Sequence, residues 1–302
     1  MKVRAGRIQS VQYWQHIMLA LLTLATSGII IWAGLAVFQQ PCRANLVLLN
    51  ECPLLMSDLM PLLVALGFLV VGIFIWLALE QQLITILFFL IASILAAGKL
   101  GALGSDAGGR LFYFLLAWGA PIIFYFHYIL LADRLKPLGL GIIIALVTLA
   151  IVWSTPFLLG SMAALRQWGW FAFLRLQVRL TLFISVLFSV FLLFRYYRNN
   201  PVPVARRRIR LILFGTILAV APVLLLSVLP STLSTGAYVP YEFTFPWLFL
   251  LPLFYVYAFF RHRLQNAEAT LNHAAVYYLL ITLLLGCHLF ITVILNRLVL
   301  DP

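Results

Sequence analysis

Between Leu138 and Leu165 no side chain carries a charge, and shorter stretches of the same kind recur along the whole chain. An uninterrupted apolar run of roughly 20 residues is what an α-helix needs to cross the hydrocarbon of a bilayer. Such runs lie at approximately 17–38, 57–79, 82–100, 111–131, 138–158, 176–194, 211–229, 246–260 and 275–295. They are continuous and do not alternate with polar residues, which speaks against a transmembrane β-barrel. Only 9% of the 302 residues are charged, against about 25% in an ordinary soluble domain. A globule so poor in charge could not cover its surface in water, so a soluble enzyme and a disordered chain are both excluded. The expected fold is all-α: a polytopic transmembrane helical bundle of about nine spans, eight to ten at the limits, forming a single transmembrane domain over 1–302.

The net charge is +12. In a membrane chain this reads as topology and contact with anionic lipid, not as nucleic-acid binding, because basic residues accumulate in short loops on the cytoplasmic side. With nine spans and a cytoplasmic N-terminus (1–16), thirteen Lys and Arg fall inside and seven outside. The strongest marker is the basic segment 195–210, RYYRNNPVPVARRRIR, which has six arginines and no acid. The run after MKVRAGR is too long for a signal-peptide core and is read as an uncleaved anchor.

The loop 39–56 is extracellular in this scheme. Cys42 and Cys52 each neighbour a proline, and on the oxidising face they are expected to form a disulfide. Cys287 is read as inert packing. No Cys/His cluster has metal spacing, and neither metal nor cofactor is expected. His127 and His288 lie inside apolar runs. They could serve as haem ligands or a proton relay, but the better reading is neutral imidazole bonded to neighbouring helices. The glycines of KLGALGSDAGGR lack phosphate-loop spacing.

Arg175 and Arg179 are four residues apart and share a helix face. Glu242 is the acid available to them from the following outer loop. Two readings stand: an anion or peptide-carboxylate site, or a structural ion pair with snorkelling arginines. The outer segments are also aromatic, with Trp153, Trp168, Trp170, Phe171, Phe173, Tyr238, Tyr241, Phe243, Phe245 and Trp247. An interfacial belt accounts for them; the sharper alternative is a pocket for a peptide or amphiphile. The segment STLSTGAYVPYEFTFP combines Gly, Pro and aromatics and is expected to form an ordered cap.

Three segments resemble a known family when taken together: 58–101; the fourth run ending FYFHYILLADRLKP; and ARRRIRLILFGTILAVAPVLLLSVLP followed by FPWLFLLPLFYVYAFFRHRLQNAEATLNHAAVYYLLITLLLG. In order and spacing, over roughly 58–298, they are similar to the membrane sensor region of competence-type (ComP-like) sensor histidine kinases. Tyr257, Ala258, Arg261, Arg263 and Leu264 match a motif at a helix end, and Val276 and Tyr277 match a Val-Tyr at the start of the next helix, after a polar stretch. Arg206 and Arg210 match the basic lead-in, and Pro222 the proline inside the helix. The family commonly has a larger extracellular domain where this chain has 39–56, and it continues through a further span into a kinase. Residues 1–302 carry no phospho-accepting His helix and no ATP-binding glycine boxes, so no catalytic residue and no enzymatic activity is expected of them.

The resemblance implies a sensory module in a bacterial cytoplasmic membrane. The candidate ligand side is Trp168, Trp170, Arg175, Arg179, Tyr238, Tyr241, Glu242 and Phe243. The candidate output side is 261–273, with Arg261, Arg263 and Tyr277. A homodimer or a membrane-complex partner fits such a module. A cytoplasmic kinase or response regulator would belong to it only through a longer chain or a partner. Two alternatives are a non-enzymatic accessory subunit of a larger membrane complex, and a transporter or redox protein. The near absence of mid-span ionisable groups counts against the last.

Overall fold

The computed structural model describes residues 2–39, 55–79, 82–131, 137–232, 239 and 241–263. Among them every regular element is helical. The helices are α1 (Lys2–Phe38), α2 (Leu55–Leu79), α3 (Gln82–Ala102), α4 (Asp106–Leu131), α5 (Pro137–Leu159), the short α6 (Met162–Gln167), α7 (Phe171–Asn199) and α8 (Pro203–Pro222). This last helix continues without a break through a π-helical segment, Val223–Val228, and a last α-turn, Leu229–Thr232, and α8 hereafter means the whole continuous helix Pro203–Thr232. Then come α9 (Tyr241–Thr244), a 3₁₀ turn (Phe245–Phe249) and α10 (Leu250–Arg263). Seven of these helices are long and apolar enough to cross a membrane; Phe245–Phe259 is a shorter apolar helix. The protein is a multi-pass membrane protein by this architecture. The ninth apolar run, the loop bearing Cys42 and Cys52, and Tyr238, Tyr277 and His288 lie outside the described residues, as do the side chains of Glu242, Arg261 and Arg263.

Several helices overrun their apolar stretches. The first is helical from Lys2, so the segment 1–16 is no separate tail. The basic segment 195–210 is mostly helix too: α7 runs to Asn199 and α8 opens at Pro203, leaving a turn of 200–202. Arginine and tyrosine tolerate a helix interior, whereas proline suits the first helical turn, where an N–H has no partner to lose. Arg206 closes this turn by donating from Nε and Nη2 to the Asn200 carbonyl at 3.2 and 2.8 Å.

Helices α3 and α4 form the middle of the bundle. Helix α3 packs on α1, α2 and α4, and α4 packs on α3, α5 and α7. The α3–α4 crossing is close because it is made of glycine. A Cβ on Gly108 would lie 2.3 Å from that of Leu100, and one on Gly101 would lie 2.9 Å from the Gly109 Cα. Gly104 in the turn has φ +89, a left-handed conformation that glycine adopts without penalty. The glycines of KLGALGSDAGGR thus serve helix packing.

Asp106 starts α4 next to the helix's positive end. Its carboxylate accepts from the Met162 backbone N–H and pairs with Arg110. Arg110 in turn reaches the Gly160 carbonyl at 3.4 Å. These contacts tie the start of α4 to the α5–α6 connection.

Candidate functional site

Helix α8 carries two buried polar clusters, each held by residues distant in sequence. The first lies at mid-helix. Thr216, Tyr255 on α10 and His127 on α4 are all buried. His127 Nδ1 lies 2.8 Å from the Ile123 carbonyl, which can only accept, so Nδ1 carries the proton. An uncharged ring then offers Nε2 as acceptor, and the Tyr255 hydroxyl donates to it across 2.7 Å. Thr216 Oγ1 donates to the Ile212 carbonyl at 2.7 Å and sits 3.1 Å from the Tyr255 oxygen, so its proton is shared between the two. No donor in this chain is left unused. The Tyr255 ring stacks on Phe126 of α4 and tilts against Phe88 of α3. One tyrosine therefore joins four helices. His127 is a satisfied packing histidine.

The second cluster lies toward the far end of α8 and follows from two prolines. Pro222 has no N–H for the Leu218 carbonyl, and its ring crowds that carbonyl. The helix widens directly after it into the π-helical turns, where Leu229 N–H reaches back to the Leu224 carbonyl. Pro230 likewise has no N–H for the Leu226 carbonyl. The returning chain fills that place: Val239 N–H donates to Leu226 O at 3.1 Å. Ser227 Oγ donates to the Val239 carbonyl at 2.7 Å and contacts Thr244 Oγ1 at 2.9 Å. Ser231 and the Tyr241 hydroxyl meet at 2.7 Å. Ser227 and Thr244 are buried. In hydrocarbon, backbone groups freed by proline must find other partners, and for the Leu226 carbonyl the approach to α9 supplies one.

Below α9 the 3₁₀ turn is wedged against α2. A Cβ on Gly67 would lie 2.2 Å from the Phe249 ring. Further down, Gly215 of α8 admits Phe254 of α10, with a Cβ there only 2.3 Å from that of Phe254. Arg208 stacks over Phe259, 3.9 Å from the ring centroid, where α8 and α10 approach their basic ends.

The residues expected at one outer mouth divide into two groups at the same end of the bundle. Tyr241 packs on Phe245, and α9 with the 3₁₀ turn packs on α2 and the π-helical segment. Trp168 and Trp170 lie instead where α6 meets α7, 59% and 73% exposed. Trp170 meets Phe173 edge-on, as does Trp153 of α5. Arg175 lies over the Phe171 ring at 5.4 Å. Phe171 and Trp153 pack on a cluster around Tyr113 and Phe157, whereas Phe245 and Phe249 pack on the main core. The pairing of Glu242 with Arg175 or Arg179 rests on a side chain outside those described. Among the described residues no group of three His, Cys, Asp or Glu is placed to hold a metal.

The sequence reading missed Tyr255, Thr216, Ser227 and Thr244. Isolated hydroxyls in apolar runs are individually unremarkable. The available signal was the spacing of Pro222 and Pro230, eight residues apart on one apolar helix with Ser227 between them.

Neither a protein-family model, nor a curated protein, nor a solved structure matches this chain.

Proposed function

We propose that this chain is a membrane-embedded sensory module of a bacterial cytoplasmic membrane, of the kind its resemblance to competence-type sensor kinases implies. In this reading the N-terminus is cytoplasmic and the chain makes nine spans, the ninth being the apolar run 275–295. The outer groups around Trp168/Trp170 and Tyr241/Phe243 receive a peptide or amphiphile. The module is not itself an enzyme; it relays helix movement through Arg261, Arg263 and 261–273 to a cytoplasmic partner or a following domain.

The observation that carries the reading is the double anchoring of α8. Its outer end is held by α9 through Ser227 and Ser231, and its middle is held by α10 and α4 through Thr216. The two anchors lie eleven residues apart on the helix, about 16 Å at 1.5 Å per residue. A ligand that shifts α9 would pull on one anchor and be felt at the other. A sensor needs two packings of this sort, with a ligand that prefers one.

The test uses the full chain in lipid nanodiscs with a carboxylate-bearing amphipathic peptide as probe. A saturable change in tryptophan fluorescence is expected, lost in a Trp168→Phe/Trp170→Phe variant that still inserts. A purely linear response, identical in the variant, would mean bulk partitioning into lipid and would remove the receptor reading.

The accessory-subunit reading has one observation of its own. Helices α1 and α5 bury little of themselves within the chain, as they would if a partner helix lay against them. A stoichiometric membrane partner that co-purifies without added ligand would favour it.

A further inference from the structure

The π-helical segment Val223–Val228 is wound one residue looser than an α-helix over its length; it follows the Thr216 anchor of α8 and contains Ser227 of the other. Long π-helical stretches are rare, and short ones concentrate where a helix does something besides span. Such a segment has an alternative. If its hydrogen bonds move from the residue five back to the residue four back, the chain beyond it turns by the angular step of one residue, about 100°, and advances by about 1.5 Å.

We infer that α8 is a two-register helix. In one register, Val223–Val228 is π-wound and Ser227 faces Thr244; in the other it is α-wound, and Ser227 and Ser231 turn away from α9.

Each register has its own support in the structure. In the π register the Leu226 carbonyl is taken by Val239, Ser227 by Val239 and Thr244, and Ser231 by Tyr241. In the α register Leu229 N–H would pass from Leu224 O to Leu225 O, recovering one tighter bond. The serines would then keep a local partner, as Ser231 already has in the Val228 carbonyl at 2.9 Å. The outward face permits the turn, because the side chains of Leu225 and Leu226 are 52% and 40% exposed. The half of α8 before Pro222 stays fixed, since Thr216 is bonded to Tyr255 and Gly215 is closed over by Phe254. The movement is thus confined to one side of Pro222. This inference rests on the sensory reading for its use, but not for its test.

Spin labels at Gln167→Cys and Leu226→Cys, both exposed positions, report the turn in the full chain with Cys42, Cys52 and Cys287 replaced. Two distance populations are expected in nanodiscs without any ligand. Deleting Leu225 removes the extra residue of the π turn while sparing every buried side chain, and should leave one population. Pro222→Ala, which restores the N–H for Leu218, should instead shift weight toward the second population; it serves as the check should the deletion variant not insert. A single population in the parent protein would overturn the inference, as would two populations unmoved by both changes. Because no ligand enters, failure of the receptor reading and failure of the register change give different results.

Discussion

Tyr255 donates its hydroxyl proton to Nε2 of His127 across 2.7 Å, from α10 to α4, in the middle of the bundle. The bond fixes the histidine tautomer, because the other ring nitrogen is committed to the Ile123 carbonyl. It also brings the final described helix against the centre of the fold, which apolar contact alone would leave free to slide.

Tyr255→Phe keeps the ring among Phe88 and Phe126 but leaves His127 Nε2 without a donor. A buried group so orphaned costs about 1–3 kcal/mol. Thermal unfolding in detergent should show a lower Tm for this variant. In a double-mutant cycle with His127→Leu, the two losses should fall short of additivity by about 0.6–2 kcal/mol. Strict additivity would mean that the bond is not made in the protein.

Gly215→Ala places a methyl group against Phe254, where there is no room. Overpacking of this kind costs about 1–3 kcal/mol. Gly141→Ala on α5 meets nothing within 4 Å and should be neutral or stabilising, since alanine outranks glycine in a helix by about 1 kcal/mol. Equal effects of the two substitutions would contradict the α8–α10 packing.

Asp106→Ala removes the acceptor for the Met162 N–H and the partner of Arg110. The expected outcome is faster hydrogen exchange at Met162 and around Gly160, with a loss of about 1–2 kcal/mol. Asp106→Asn keeps one acceptor oxygen and should fall between the two. An unchanged exchange pattern in the alanine variant would show that the α5–α6 connection is held by other contacts.

Two single cysteines read the topology. Gly169→Cys lies in the turn before α7, and Arg198→Cys in that helix's last turn; both positions are exposed. In sealed membrane vesicles an impermeant maleimide should reach them from opposite faces, Gly169 from outside and Arg198 from the cytoplasmic side. Labelling of both from one face would exclude α7 as a span, and the reverse assignment would invert the proposed orientation.

Apolar runs and their charge breaks were enough to place the helices, because lipid admits only continuous helices or closed barrels and the sequence has no alternation. Helix ends were less legible. Arg195, Arg198 and Arg206–Arg210 read as loop by polarity, yet they continue helices, since a helix that leaves the hydrocarbon has no reason to stop there. The sequence reading of the glycines in KLGALGSDAGGR went no further than a turn without phosphate-loop spacing; only the crossing of α3 and α4 shows that Gly101, Gly108 and Gly109 let two backbones meet. The aromatic segments around Trp168 and Tyr241 were visible as residues but not as two groups, because which ring meets which depends on the order in which helices pack. The sequence by itself determined that the chain is helical and lives in a membrane, since those follow from the cost of exposing peptide groups and charges to lipid. That His127 finds Tyr255, and that Val239 fills the carbonyl freed by Pro230, was decided by tertiary structure. Each is a pairing between groups far apart along the chain, and no local rule links their positions.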